Sequence, residues 1–238
     1  MNQPKQAVVL AGGLGTRLGD KTTTLPKPMM DIAGRPFLDY LIRNLARHGI
    51  TEVLLSVGHL HQKISRYFGD GRSHDVHIHY ALEQEPLGTG GALHNCLHLL
   101  AERFFVLNGD TLFDVDFAAL ALATQANVIA LRPVADTARY GRVTLDGIWV
   151  TSFEEKGTQG PGAINGGVLC LNRLEIAKLP EGKSSLEHTL LPRLAAEHAL
   201  SGCLNETFFI DIGLPESLLE AQTAIPQWER KAVAIMER

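Results

Sequence analysis

Gly12, Gly13 and Gly15, followed at once by Thr16 and Arg17, stand directly after the apolar run Ala7-Val8-Val9-Leu10. The run reads as a short buried strand, and glycines at its exit let the backbone turn with φ > 0 and meet a ligand with no Cβ in the way. Successive N–H groups in such a turn form a concave anion site. Arg17, and Lys27 within Leu25-Pro26-Lys27-Pro28, add full positive charge to it. The chemistry this suits is phosphate binding at the end of a first strand, where open α/β sheets hold ligands. Two common phosphate motifs do not fit. Gly13, Gly15 and Leu18 satisfy only the first half of G-x-G-x-x-G, and no Gly-Lys-Ser/Thr follows as a P-loop requires.

Further groups of reactive side chains lie downstream. Glu83-Gln84-Glu85-Pro86-Leu87-Gly88-Thr89-Gly90-Gly91 follows a β-patterned stretch and opens a helix. Its glycines would admit a flat ligand and its polar side chains could read base edges; the same residues would also make a tight strand-to-helix turn with Thr89 as cap. Asn108-Gly109-Asp110-Thr111 ends the apolar run 104–107, and a carboxylate there is well placed to hold Mg²⁺ on triphosphate oxygens. Asp114-Val115-Asp116 imitates a metal-binding D-x-D, but Asp116 reads better as the cap of a helix starting at Phe117. Asp211, flanked by Ile210 and Ile212, is an acid in apolar company and calls for a partner or a metal. His94, Cys96 and His98 do not make a zinc site, because the thiol falls on another helix face from the two imidazoles. His74, His77 and His79 read as solvated side chains along a strand.

The elements that must position these groups follow from hydrophobic periodicity. Phe37, Leu38, Leu41, Ile42 and Leu45 fall at helical spacing before a stop at Gly49. Strands are expected over 51–57, 76–82 and 104–107, and between them an amphipathic helix marked by Ile64, Tyr67 and Phe68 and ending at Gly69, and a helix over 90–101. Strand and helix thus alternate through the first 130 residues, which predicts a parallel sheet covered on both faces. A hairpin with an Asp146-Gly147 turn follows, then strands at 168–171 and 208–212 among helices at 186–199 and 215–224. The fold expected is a Rossmann-like α/β domain with a mixed, mostly parallel sheet. One domain over residues 1–238 is expected, with the pattern changing between a part within about 1–130 and a part within about 131–238.

Composition narrows the function. A net charge of −4 argues against a general nucleic-acid binder, and 45% apolar with 20% charged residues is ordinary for a soluble globular protein. Cys96, Cys170 and Cys203 form no C-x-x-C pair and read as reduced, mostly buried thiols. No apolar run reaches membrane-spanning length and the first residues have no signal-peptide core, so a cytoplasmic protein without membrane or nucleic-acid partners is expected.

Taken together, Gly-Gly-x-Gly-Thr-Arg-Leu at 12–18, Pro-Lys-Pro at 26–28, Pro-Leu-Gly-Thr-Gly at 86–90, Gly109-Asp110, Phe153-Glu154-Glu155-Lys156, Ile164-Asn165-Gly166-Gly167 and Asp211-Ile212-Gly213 with Pro215 resemble the sugar nucleotidyltransferase family. The order of the segments is also the family's, from Ala7 to Pro215. The resemblance implies a GT-A-like fold and attack of a sugar 1-phosphate oxygen on the α-phosphorus of an NTP, with release of pyrophosphate. It implies a nucleotide site at Leu10, Ala11, Gly12, Gly13, Gly15, Thr16, Arg17, Glu83, Gly88 and Thr89. A sugar-phosphate site is implied at Asn108, Gly109, Glu155, Lys156, Asn165 and Gly166. Arg17, Lys27 and Lys156 would serve catalysis, and Asp110 and Asp211 would hold Mg²⁺. Within the family the wording is most similar to guanylyltransferases acting on D-glycero-α-D-manno-heptose 1-phosphate, which implies GTP and that sugar phosphate as substrates for surface-polysaccharide assembly. Uridylyltransferases of N-acetylmuramic acid or hexose 1-phosphates and mannose 1-phosphate guanylyltransferases are the alternatives. A nucleotide-sugar sensor without turnover is disfavoured, since Arg17, Lys27 and both carboxylates are kept. A homo-oligomer is left open.

Overall fold

A computed structural model describes residues 3–13, 15, 21–122, 127–154 and 156–236. The chain opens with β1 (Gln6–Leu10), a short helix α1 (Lys21–Thr24), the small hairpin β2 (Asp31–Ile32) and β3 (Arg35–Pro36), and α2 (Phe37–Arg47). Then come β4 (Glu52–Val57), α3 (His61–Phe68), β5 (His77–Leu82), α4 (Gly88–Asn95) and β6 (Arg103–Asn108). The second half holds β7 (Thr111–Phe113), α5 (Phe117–Leu122), β8 (Asn127–Val134), β9 (Val143–Asp146), β10 (Trp149–Phe153) and β11 (Gly162–Asn172). It closes with α6 (Arg173–Ala177), α7 (Leu191–Ala196), β12 (Leu200–Leu204), β13 (Phe209–Asp211) and α8 (Pro215–Met236).

Nine strands form one mixed sheet in the order β5-β4-β1-β6-β11-β8-β12-β10-β9. The alternating first part of the chain supplies its parallel half: β1 runs parallel to β4 and β6, and β4 to β5. Beyond β6 the sense changes, because β11 returns antiparallel to both β6 and β8, while β12 lies parallel to β8. Side chains alternate across each strand, so Ala7 and Val9 enter one core layer with α2, α5 and α8, and Val8 enters the other with Leu93, Leu186 and Leu194. Both layers are dry at the strands that end in the site: Val8, Val9, Phe105 and Val106 are fully buried. Cys96 and Cys170 are buried and Cys203 is half-buried, all free thiols; burial pushes the Cys96 and Cys170 thiols up to about 11, which leaves them inert.

Several local expectations are revised. The helix expected over 90–101 starts at Gly88 and stops at Asn95, where the chain tightens into a 3₁₀ turn over Leu97–Leu99. The hairpin register pairs Asp146 with Trp149, so Gly147 and Ile148 form the turn, and the φ of +56° at Gly147 makes glycine its first central residue. Residues 164–167 are part of β11, with a register shift between Asn165 and Leu169. The region expected as helix 186–199 is a π turn over Leu186–Leu190 followed by α7, and α8 runs well past 224 to Met236. His74 is buried, and its Nε2 lies 2.8 Å from Asp39 Oδ1. Asp39, 1% exposed, also takes Arg43 Nε at 2.7 Å, so that imidazole belongs to a buried polar cluster rather than to solvent. Asp116 caps α5 as expected, accepting from Ala119 N at 2.9 Å.

Candidate active site

A cavity of about 430 Å³ opens at the carboxyl ends of β1 and β6 and the exit of β5. Its walls are Leu10, Ala11, Gly12, Gly13 and Gly15 from the first turn, Lys27 and Pro28, and Asn108, Gly109 and Asp110 after β6. The fourth wall is Glu83, Pro86, Gly88, Thr89 and Ala92, with Glu187 across from them. Twelve of the expected site residues therefore stand around one space: Leu10, Ala11, Gly12, Gly13, Gly15, Lys27, Glu83, Gly88, Thr89, Asn108, Gly109 and Asp110. Thr16, Arg17 and Glu155 lie outside the described residues.

The first turn is built by backbone continuations of the ladder. Ala11 N donates to Ser56 O at 2.8 Å and Gly109 N to Leu10 O at 3.0 Å, which ties the exits of β1, β4 and β6 together. Gly15 has the positive φ, +64°, that the turn requires. A Cβ on Gly12 would lie 2.3 Å from Glu83 Oε1, whereas one on Gly13 would meet nothing within 4 Å. Gly12 therefore serves the carboxylate of Glu83, and Gly13 faces open cavity. Glu83 is fixed by Ser56 Oγ, which donates to Oε1 at 3.0 Å, and by Leu87 N, which donates to Oε2 at 3.2 Å.

Lys27 sits on a 3₁₀ turn between Pro26 and Pro28, whose rings fix φ on either side of it. Its ammonium pairs with Asp110 Oδ2. Asp110 O accepts from Ile212 N at 2.9 Å, and β13 pairs with β7 so that Asp211 stands opposite Thr111. The two expected carboxylates are thereby brought side by side from positions 101 residues apart in sequence (211 − 110). Asp211 Oδ1 accepts from Gly213 N at 2.6 Å and from Arg139 Nη2 at 2.7 Å. A Cβ on Gly213 would lie 2.6 Å from Asp211 Oδ1, 3.2 Å from Lys27 Nζ and 3.5 Å from Arg139 Nη2, so both cations reach the same small volume. Two adjacent carboxylates fit a Mg²⁺-type ion, which takes one or two carboxylates and completes its shell with water and phosphate oxygens. Among the described residues no cluster of three or more His, Cys, Asp or Glu offers a fuller metal cage.

The sugar-side residues are arranged less directly. Asn108 adjoins β11, where a Cβ on Gly167 (φ +74°) would come within 2.9 Å of Asn108 Nδ2. Asn165 Oδ1 accepts from Gly167 N at 2.9 Å, and Gly166 lies against the ring of Phe113. Neither Asn165 nor Gly166 lines the cavity. Lys156 is exposed at the end of β10 and is not part of the lining. It is nonetheless held close to Arg139, because Gly157 N donates to Ala138 O at 2.8 Å.

Sequence reasoning missed Arg139, Ser56 and Glu187, and it misjudged the glycines of 88–91. A Cβ on Gly88 would lie 2.5 Å from Ser184 O, and one on Gly91 would lie 2.2 Å from Gly182 O. These glycines admit the backbone strap 182–185, which in turn delivers Glu187. Thr89 is not a helix cap: its hydroxyl donates to Glu187 Oε2 at 2.7 Å and accepts from Leu186 N at 2.8 Å. No local signal near Glu187 marks it as a site residue, since its partner is 98 positions away.

The model of the nucleotidyl transferase family matches residues 6–227, and the chain belongs to that family. It is an enzyme of the sugar-phosphate nucleotidyltransferase class. Among its relatives is the D-glycero-alpha-D-manno-heptose 1-phosphate guanylyltransferase of Aneurinibacillus thermoaerophilus, 39% identical over 94% of this chain and 99% of the relative. The enzyme of the same name from Campylobacter jejuni is 41% identical over 89% and 96%. Crystallographic HddC from Yersinia pseudotuberculosis superposes with a TM-score of 0.84 at 34% identity, covering 96% of this chain and all of that one. HddC complexed with GMP-PN superposes at 0.82, with 35% identity, over 93% of this chain and 98% of that one.

Proposed function

We propose that the protein transfers a guanylyl group from GTP to D-glycero-α-D-manno-heptose 1-phosphate, giving the GDP-linked sugar and pyrophosphate. Full-length similarity to two guanylyltransferases of that name carries the reading. The carboxylate of Glu83 in the cavity wall supports it physically. Guanine offers adjacent N–H donors on its Watson–Crick edge, which a carboxylate accepts together, whereas uracil and thymine offer one donor between two acceptors.

In this reading the chain works as one unit, with the nucleotide on the 1–130 side and the sugar on the 131–238 side. The attacking phosphate oxygen is already anionic, so no general base is needed and catalysis reduces to alignment and charge neutralisation. Amides of the turn Gly12 to Thr16, with Arg17 and Lys27, neutralise the triphosphate. Asp110 and Asp211 would hold Mg²⁺, which would supply Lewis-acid stabilisation of phosphate charge. Asn108, Gly109, Asn165, Gly166 and Glu155 position the sugar, and Lys156 guides its phosphate. No described helix is long and apolar enough to cross a membrane.

The test is steady-state pyrophosphate release with Mg²⁺, crossing GTP, UTP, CTP, dTTP and ATP with a panel of sugar 1-phosphates. GTP with the heptose is expected to have the highest kcat/KM. A higher value for UTP with a hexosamine-derived phosphate would replace the substrate pair, and nucleotide binding without pyrophosphate from any pair would replace the activity.

A further inference from the structure

Arg139 has no role in the reading above, yet its guanidinium touches one of the two carboxylates that reading gives to the metal. Four charges meet there: Asp110 with Lys27, and Asp211 with Arg139. The cluster is neutral without a metal. The two cations differ in freedom. The Lys27 side chain is 12% exposed and sits between two prolines, whereas that of Arg139 is 36% exposed, with its guanidinium carbon 4.9 Å from the centroid of the Tyr140 ring. Asp211 Oδ1 already accepts the Gly213 N–H, and an exposed ion pair adds little to stability, so the pair is not needed to hold the fold. A divalent ion on Asp110 and Asp211 would place two more positive charges beside both cations and expel the more mobile one.

We propose that Arg139 is an exchange cation: it covers Asp211 while no metal is bound, and on metal binding it is released to bind the phosphate of the incoming sugar 1-phosphate. Its position suits the second task. Arg139 lies on the loop to which the Lys156–Gly157 turn is bonded, in the part of the chain that the proposed function gives to the sugar. A planar guanidinium is also the group best matched to two phosphate oxygens at once. The loaded site then keeps a positive charge for the second substrate only after the metal is in place, which orders metal before sugar phosphate. This inference rests on the proposed metal role of Asp110 and Asp211.

The experiment compares the whole protein with Arg139→Gln and Arg139→Lys. Titration of the nucleotide-free protein with Mn²⁺ in a calorimeter should show about threefold tighter binding for Arg139→Gln, because a competing cation is gone, and wild-type affinity for Arg139→Lys. In turnover, Arg139→Gln should raise KM for the sugar 1-phosphate about tenfold while kcat and KM for GTP stay within about twofold, and Arg139→Lys should recover part of that loss. Equal or weaker Mn²⁺ binding by Arg139→Gln overturns the competition. Equal losses toward both substrates overturn the phosphate role. Failure of the wild type to turn over any sugar 1-phosphate would remove the proposed function and the phosphate role with it, while the Mn²⁺ titration would still decide the competition at Asp211.

Discussion

Replacing Gly91 by alanine sets two effects of opposite sign against each other. Gly91 is helical, with no positive φ, so alanine should favour α4 by about 1 kcal/mol through helix propensity alone. The added methyl, however, would stand 2.2 Å from Gly182 O and 3.0 Å from Leu87 Cβ. The first of these atoms is backbone and cannot rotate away, so the strap 182–185 must move. Overpacking of that kind costs about 1–3 kcal/mol, which exceeds the propensity gain over most of its range. The expected net loss is up to about 2 kcal/mol, or up to roughly 8 °C in Tm for a protein of this size. The displaced strap carries Ser185 and Glu187, so KM for GTP should rise as well. Gly90→Ala is the milder comparison: its methyl would meet the Ser184 hydroxyl at 2.7 Å, which can turn aside, and the backbone carbons of Ser184 and Ser185 at 3.2 Å, which need give way by only a few tenths of an ångström. Thermal unfolding and nucleotide kinetics of the two variants decide the matter. A Gly91→Ala protein as stable as wild type, with unchanged KM for GTP, would refute the idea that these glycines exist to admit the strap.

Other expectations follow from the same geometry. Asp110→Ala should lower kcat by at least about a hundredfold, since charge stabilisation by a held metal is worth several kcal/mol; undiminished Mg²⁺-dependent turnover would remove the assignment. Lys156→Ala should raise KM for the sugar 1-phosphate well above any change for GTP, and equal changes in both would place the residue elsewhere. Asp39→Ala should cost about 2–3 kcal/mol in urea unfolding, because it leaves the buried His74 ring without its acceptor. Burial raises the Asp114 carboxyl, but hydrogen bonds from His48 and Trp228 and the charges of His48 and Arg47 outweigh it and hold the group below its ordinary value. A depressed carboxylate stabilises the fold above its unfolded pKa and loses that contribution as pH falls through the folded value. Asp114→Asn should therefore lower Tm near neutral pH, and the difference from wild type should shrink as pH falls below the ordinary carboxylate range.

Much of this arrangement was legible in the chain because the signals were local. The alternation of Ala7, Val8 and Val9 between two core layers, and the helical spacing from Phe37 to Leu45, need no distant information. Asp110 and Glu83 could be placed in one site because each follows an expected strand, and parallel strands open their carboxyl ends on one side, whereas Lys27 was marked by its Pro-Lys-Pro segment. What escaped was long-range. Arg139 meets Asp211 across 72 positions, and nothing in Ala138-Arg139-Tyr140 distinguishes that arginine from an exposed loop residue. His74 looked solvated from its neighbours, since the buried Asp39 that receives it is 35 positions upstream. The glycines at 88–91 signalled close approach correctly, but sequence could not say that the approaching group is the chain's own strap.

The decisive observation is the identity of the products. Purified protein, Mg²⁺, GTP and D-glycero-α-D-manno-heptose 1-phosphate would be followed by ³¹P NMR until the reaction stops. The reading developed above expects pyrophosphate and the two coupled phosphorus signals of a GDP-linked sugar to grow in equal amounts, with no free phosphate. Release of phosphate and GDP instead, or no change with GTP while another nucleotide is consumed with the same sugar, would contradict guanylyl transfer at this site.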